Sequence, residues 1–318
     1  MEEIAEAAQI ACLLEVSAPK PGNVNRLHNF KDTRYEDFLL SAVAIGGAFR
    51  EVSKCSVGEI ILKAIVSTRR YVTCNTNLGM VLLFAPVAKA YALAVQEGRK
   101  GKAERGKQKV KAPRKGPLPF TAHGLRPPEL RAALIGVLNS LTVEDARHVY
   151  AAIRLAHPGG IGKVAQQDIH GEVQVSLLEA MALAAHRDAI AREYAGQFEI
   201  TFNLGYPTLK NYLEETQDLE KSIVQTYLTL LSEIPDTLIA RKEGLEVSKN
   251  VSARTQAILR EGGVFSAAGQ QGVQDLDKFL RSKGNRLNPG TTADLTASAL
   301  LVTILLHGNL LQVPGMLE

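Results

Sequence analysis

Tryptophan is absent from this chain, and aromatic residues of all kinds make up only 5% of it. β-Sandwiches lean on aromatic and β-branched side chains, so this scarcity argues against one. Alanine and leucine supply the apolar content instead, which suits closely packed helices. Cysteine is scarce too. Cys12, Cys55 and Cys74 are odd in number and show no CxxC spacing. They read as reduced, mostly buried thiols of a cytoplasmic protein, not as a disulfide framework. No apolar run stands out as a membrane span, since the most apolar one, residues 297–306, falls far short of the ~20 residues required. The first residues carry Glu2, Glu3 and Glu6 where a secretory signal needs positive charge. Nor is there a large charge of one sign, because a net +4 is too mild to imply nucleic acid by itself. Repeats and period-two strand patterns are missing as well.

The 318 residues are 46% hydrophobic, enough to bury a full core. Helical periodicity recurs along their length, beginning with Ile4, Ala8, Ala11 and Cys12. The expectation is one all-α, multi-helix domain over residues 1–318.

That first helix runs into a polar loop over residues 17–32. Pro19 and Pro21 stop the helix, each lacking an amide proton. Pro21-Gly22 suits the centre of a type II turn, where glycine accepts a positive φ. Lys20, Asn23, Asn25, Arg26, His28, Lys31 and Asp32 then crowd one loop, with Val24, Leu27 and Phe30 as anchors. Such a loop offers cations to an anion and a carboxylate to a metal or hydroxyl. A polar linker between helices has the same look.

Farther along, Phe38, Ala42, Ile45 and Phe49 mark a buried helical stripe, with Gly46-Gly47 inviting close approach of another backbone. Residues 57–71 read as another helix. Asn75, Thr76 and Asn77 precede the apolar run of residues 80–95. They are strong helix-capping residues, and the free amides there also form an anion site.

Residues 98–120 break the pattern. Between 99 and 115 nine Lys or Arg stand against one acid, Glu104. Gly and Pro punctuate the stretch, so it reads as a mobile basic insertion. It could steer a polyanionic substrate or touch nucleic acid, but no aromatics are interleaved for stacking.

Thr142, with Asp145 three residues on, opens the second of two short helices. The glycine turn His157-Pro-Gly-Gly-Ile-Gly-Lys163 lacks the spacing of a nucleotide phosphate loop, although Lys163 could still touch phosphate. Next, Asp168 and Glu172 lie at i, i+4 at the opening of the helix carrying Leu177, Leu178, Met181 and Leu183, with His170 on another face. Like charges at that spacing suit a shared cation, a general base, or an ordinary exposed surface. Phe202-Asn-Leu-Gly-Tyr-Pro207 reads as irregular. Near the end, Thr291 and Asp294 have the spacing of an acidic capping box before the last apolar helix.

Four of these stretches together resemble the triphosphoribosyl-dephospho-CoA synthase family: PKPGNVNR at 19–26 with Asp32, NTNLG at 75–79, HGE at 170–172 and NPGTTADL at 288–295. The resemblance covers most of the chain and implies an all-helical fold. It also implies transfer of the triphosphoribosyl group of ATP to a ribose hydroxyl of 3′-dephospho-CoA, with release of adenine. The chain departs from familiar bacterial members at Asn77-Leu78, where they carry His-Lys, and at His170, where they carry Arg. Those departures leave open a different coenzyme-like alcohol as acceptor, and the basic segment leaves open a non-catalytic nucleotide- or nucleic-acid-binding protein. Oligomeric state is open as well.

Triphosphate chemistry calls for Mg²⁺, which selects one or two carboxylates plus phosphate oxygens. Asp168 leads as metal ligand, with Asp32 and Asp294 behind it. Lys20, Gly22, Asn25, Arg26, His28, Asn75, Thr76, Asn77, Lys163, His170 and Thr291 are the nucleotide-binding candidates, and Glu172 and Asp32 the catalytic ones. If Glu172 is the base that activates the acceptor hydroxyl, Glu172→Gln retains ATP binding but loses roughly 10²–10⁴-fold in turnover. A variant within about threefold of the parent in adenine release would exclude that role.

Overall fold

The last helix is apolar on every side, and a helix of that kind has to be wrapped by others. α15 (Gly290–His307) is buried from Leu295 through Leu306 and is packed by helices from both halves of the chain. Its hydroxyl side chains are reconciled with burial by bonding backwards: Thr296 donates to the carbonyl of Thr292 and Thr303 to that of Ala299, at 2.8 and 2.7 Å.

The computed structural model of the protein describes residues 1–105, 124–157, 173–308 and 310, the side chains of 99–105 excepted. Before α15 come α1 (Glu2–Ser17), α2 (Tyr35–Ala44), α3 (Gly46–Arg50), α4 (Val57–Thr68), α5 (Leu78–Arg105), α6 (Pro127–Asn139) and α7 (Val143–Ala156). These are followed by α8 (Leu177–Ala184), α9 (Ala189–Ala195), α10 (Tyr206–Thr216), α11 (Leu219–Glu233), α12 (Thr237–Glu243), α13 (Leu245–Arg260) and α14 (Ala267–Arg281). No strand occurs among the described residues, and one hydrophobic core links the helices into a single domain. The expectation that no apolar run is long enough needs correction, because two segments, Leu78–Gly98 and Gly290–His307, are long and apolar enough to cross a membrane. Both are mostly buried, 78% and 83%, by the helices around them.

The expected all-helical fold is therefore the observed one, and several local expectations hold with it. Gly22 has φ +78° and the Asn23 amide donates to the carbonyl of Lys20, closing the turn on Pro21-Gly22. Thr142 caps α7 in a reciprocal box with Asp145. Of the expected basic insertion, residues 106–123 lie outside the described residues, and α5 runs up to them through Arg105. Other expectations need correction. Residues 202–207 are not irregular: a π turn (Thr201–Gly205) feeds directly into α10. Thr291 and Asp294 do not form a capping box. Asp236 caps α15 from a distance, its Oδ2 accepting from both the Thr292 amide and hydroxyl at 2.8 Å. α8 is opened by Ser176 in a box with Glu179.

Close backbone approach occurs at a glycine the sequence pattern did not single out. At Gly47 a Cβ would meet nothing, and at Gly46 only the flexible Gln9 side chain. At Gly58 a Cβ would sit 2.5 Å from the Cα of Asp145, and the Gly58 amide donates to Asp145 Oδ1 at 2.7 Å. α4 and α7 touch there through backbone. Gly58→Ala is expected to lower stability by about 1–3 kcal/mol, the usual cost of overpacking. Urea unfolding midpoints of the two proteins check this, an unchanged midpoint refuting the contact.

Candidate active site

A cavity of about 910 Å³ opens where the residue 17–32 loop, the start of α5, helices α7–α9, α12 and the start of α15 meet. Its lining includes Glu15, Asn23, Asp32, Asn75, Thr76, Asn77, Asp188, Arg241, Lys242, Asn288, Thr291 and Asp294.

Asp294 is central. At Gly79, near the start of α5, a Cβ would lie 2.0 Å from Asp294 Oδ2, so only glycine leaves room for the carboxylate. Asp294 has no hydrogen-bond or ion-pair partner among the described residues. Burial, then the negative charges of Glu15, Asp236 and Asp188, push its carboxyl well above the ordinary range. An environment of that kind favours either a proton or a cation.

Glu15 reaches the cavity from the end of α1. It is 2% exposed and pairs with Lys20, Nζ to Oε1 3.0 Å. Burial raises its carboxyl and Lys20 lowers it, burial dominating. Asp188 caps α9 through the amides of Ile190 and Ala191 and accepts from Arg241 at 3.1 Å. Lys242 is half-buried and makes no ion pair among the described residues. Its Nζ donates to the carbonyl of Asn285 at 3.0 Å, and burial followed by Arg241 holds its amine below the usual lysine range. Two further groups are unsatisfied: Asn23 Oδ1 and Asn77 Oδ1 are buried acceptors without a donor among the described residues.

Sequence reading and structure part company over the loop. Asp32, Asn75, Thr76, Asn77, Thr291 and Asp294 line the cavity as a group. Lys20, Gly22, Asn25, Arg26 and His28 do not. Lys20 has no exposure at all and is used up by Glu15 and the carbonyls of Glu15 and Ala18. Gly22 donates its amide to Asp277 Oδ1 at 2.7 Å. Asn25 folds back on the loop, accepting from the Leu27 amide at 2.9 Å. Arg26 pairs with Glu220 on the surface at 2.6 Å, and His28 is exposed in a backbone bridge with Asn25. These residues hold the loop's shape.

Lys163, Asp168, His170 and Glu172 lie outside the described residues. His157 and Leu177, on either side of that segment, both line the cavity. Among the described residues no group of three or more His, Cys, Asp or Glu side chains gathers as a metal cage.

Glu15, Asp188, Arg241 and Lys242 are cavity residues that the sequence reading passed over, and Asn23, named there only as part of the polar loop, joins them. For Glu15 a signal existed: it falls four residues after Ala11 and three after Cys12, so an acid sits on the buried stripe of α1.

An all-helical chain with an acid-lined cavity edged by cations describes a protein that can take in a small charged molecule, and comparison with known proteins narrows it. A family model described as ATP:dephospho-CoA triphosphoribosyl transferase matches residues 1–312. The chain belongs to that family. A 2-(5″-triphosphoribosyl)-3′-dephosphocoenzyme-A synthase of Klebsiella pneumoniae is 32% identical over 91 residues, 29% of this chain and 30% of that one. A relative of the same designation from Malonomonas rubra is 34% identical over 109 residues, 32% of this chain and 34% of the relative. The chain thus spans about a third of the length of these curated relatives in alignment. A crystal structure from Archaeoglobus fulgidus, described as a triphosphoribosyl-dephospho-CoA synthase, superposes with a TM-score of 0.56 at 23% identity. That match covers 83% of this chain and 97% of the archaeal one, and shows a shared fold.

The state of Asp294 has a measurable consequence. Its folded proton affinity exceeds the unfolded one, so the folded state holds the extra proton and stability falls as pH rises from about 4 through the folded pKa. Asp294→Asn removes that loss. Without nucleotide or divalent cation, the variant should melt higher than the parent at pH 7.5 and near it at pH 4. The opposite ordering at pH 7.5 would mean that the carboxylate is stabilised in the fold.

Proposed function

We propose that the protein transfers the triphosphoribosyl group of ATP to a ribose hydroxyl of 3′-dephospho-CoA, releasing adenine. The observation that carries this reading is the cavity itself. It combines Asp294, which lacks a partner among the described residues, Glu15 behind it, the uncommitted acceptors of Asn23 and Asn77, and Lys242 with Arg241 at the side. Family membership supports the reading.

In this reaction the bond from the ribosyl anomeric carbon to adenine N9 breaks and a bond to the acceptor oxygen forms. The acceptor hydroxyl gives up its proton and adenine takes one. Positive charge builds on the sugar in between, and carboxylates stabilise it. Glu15 is the described carboxylate placed for this, held in position by Lys20. The acceptors of Asn23 and Asn77, with Thr76 and Asn288, suit sugar hydroxyls and the exocyclic amine of adenine. Arg241 and Lys242 take the triphosphate, the role that the sequence reading gave to Lys20 and Arg26. An anion beside Lys242 would also offset the burial that disfavours its charge.

Mg²⁺ fits this site as a companion of the triphosphate. The described residues supply no cage, and Mg²⁺ needs only one or two carboxylates beside phosphate oxygens. Asp294 and Asp32 are the described residues that would hold it. When bound it neutralises phosphate charge. The cluster of acids around Asp294 favours a cation for the same electrostatic reason that it favours a proton.

Adenine release from ATP, followed chromatographically with and without dephospho-CoA, tests the reaction. No release with the acceptor present would exclude it. The phosphate assignment makes a separate forecast: Lys242→Ala weakens ATP binding by about 1–3 kcal/mol, the worth of a hydrogen bond to a charged group. Arg26→Ala leaves it within about twofold, as expected for an exposed pair. Calorimetric titration of both variants checks this, and the reverse pattern would restore Arg26 to the site.

A further inference from the structure

The cavity has two kinds of wall. Loops and helix starts supply one, carrying Asp32, Asn75, Thr76, Asn288, Thr291 and Asp294. The other is the side of a helical layer in which α7 packs on α8, α8 on α9 and α9 on α5. Ile153, Ala180, Leu183, Ala184 and Ile190 line that side, and Leu183 remains 47% exposed. Aliphatic surface left open inside a cavity is a binding surface waiting for an apolar partner.

The two substrates of the proposed reaction differ in what they could place there. Both carry adenosine and a phosphate chain. Adenine can lay a face on aliphatic side chains, but its edge is ringed by donors and acceptors that need the polar wall, whereas a flexible aliphatic chain needs only the apolar one. Only the acceptor has a pantetheine arm, built of methylenes, a gem-dimethyl group and a thiol, with two amides between. The amides have a polar neighbourhood available, since exposed His186 and Arg187 line the cavity just beyond Ala184.

We infer that the aliphatic wall of α7, α8 and α9 is the subsite for the pantetheine arm of the acceptor. The acceptor is thereby chosen by the part it does not share with ATP. This rests on the transferase reading for the identity of the acceptor, but its test does not need turnover.

The probe is 4′-phosphopantetheine, which has the arm and no adenosine. It should bind the full-length protein saturably by calorimetry, be displaced by dephospho-CoA, and not be displaced by ATP. Ala180→Phe and Ala184→Phe, made separately at half-buried positions, fill the wall. Each should weaken phosphopantetheine and dephospho-CoA by about tenfold or more, the scale on which apolar pockets discriminate, and move ATP by less than about twofold. Absence of saturable binding by the parent overturns the proposal, as does displacement by ATP. The parent measurements decide this even if a variant fails to fold. Unchanged affinity in both folded variants overturns it too, and a loss confined to ATP assigns the wall to the donor instead. The two readings fail separately. Arm binding without adenine release removes the transferase and keeps the subsite. Adenine release without arm binding does the reverse.

Discussion

An ammonium group with no access to water needs its partners close by, and Lys20 has them in the Glu15 carboxylate and the carbonyls at the end of α1. Removing one member of such a pair strands the other, which is costly in a way that deleting a surface pair is not. Much of the active-site architecture follows from this contact. It turns the chain sharply after α1 and holds Glu15 at the edge of the cavity. From there the loop is tied to distant helices: the Tyr227 hydroxyl donates to the Pro21 carbonyl at 2.8 Å, and Arg281 donates to the Asn23 carbonyl at 2.7 Å. Asn23 Nδ2 reaches Asn288 Oδ1 at 2.6 Å, joining the first loop to the stretch that opens α15. The most distinctive motif of the sequence is in this sense a clasp that assembles the cavity, with its contact to the cavity coming through Asn23 and Val24.

This explains what the sequence could and could not disclose. Helix type and approximate position were legible because they depend on periodicity and on punctuation such as Pro19, Pro21 and Thr142. The site was half legible. Asp32, the 75–77 stretch, Thr291 and Asp294 do line one cavity, and it was the family resemblance, not their local patterns, that grouped them. Spacing says nothing, however, about which way a loop side chain turns. Lys20 and Asn25 have the chemistry of ligand contacts and spend it on their own backbone. Conversely, Arg241 and Lys242 occupy the last turn of α12, where basic residues are ordinary partners of the helix dipole, and Asp188 looks like any capping residue. Their second role exists only in the folded arrangement.

Capping of α15 shows the same limit. A local Thr291–Asp294 box would have occupied the Asp294 carboxylate. Asp236, far off in sequence, takes over the capping and so leaves Asp294 free for the cavity. A pattern that looked structural proved to be half of a division of labour between two acids.

The meeting of Gly79 with Asp294 carries a consequence for how this family diversifies. The two residues compete for one volume, 215 positions apart in the chain, and a Cβ at the first would lie 2.0 Å from the second's Oδ2. Neither can drift alone: a larger residue at 79 is tolerable only once the acid at 294 has shortened or swung away, and with it goes the cavity's one partner-free described carboxylate. Across homologues the pair should behave as a single two-letter character. A chain that keeps the fold but shows a side chain at the first position has then abandoned the chemistry at the second.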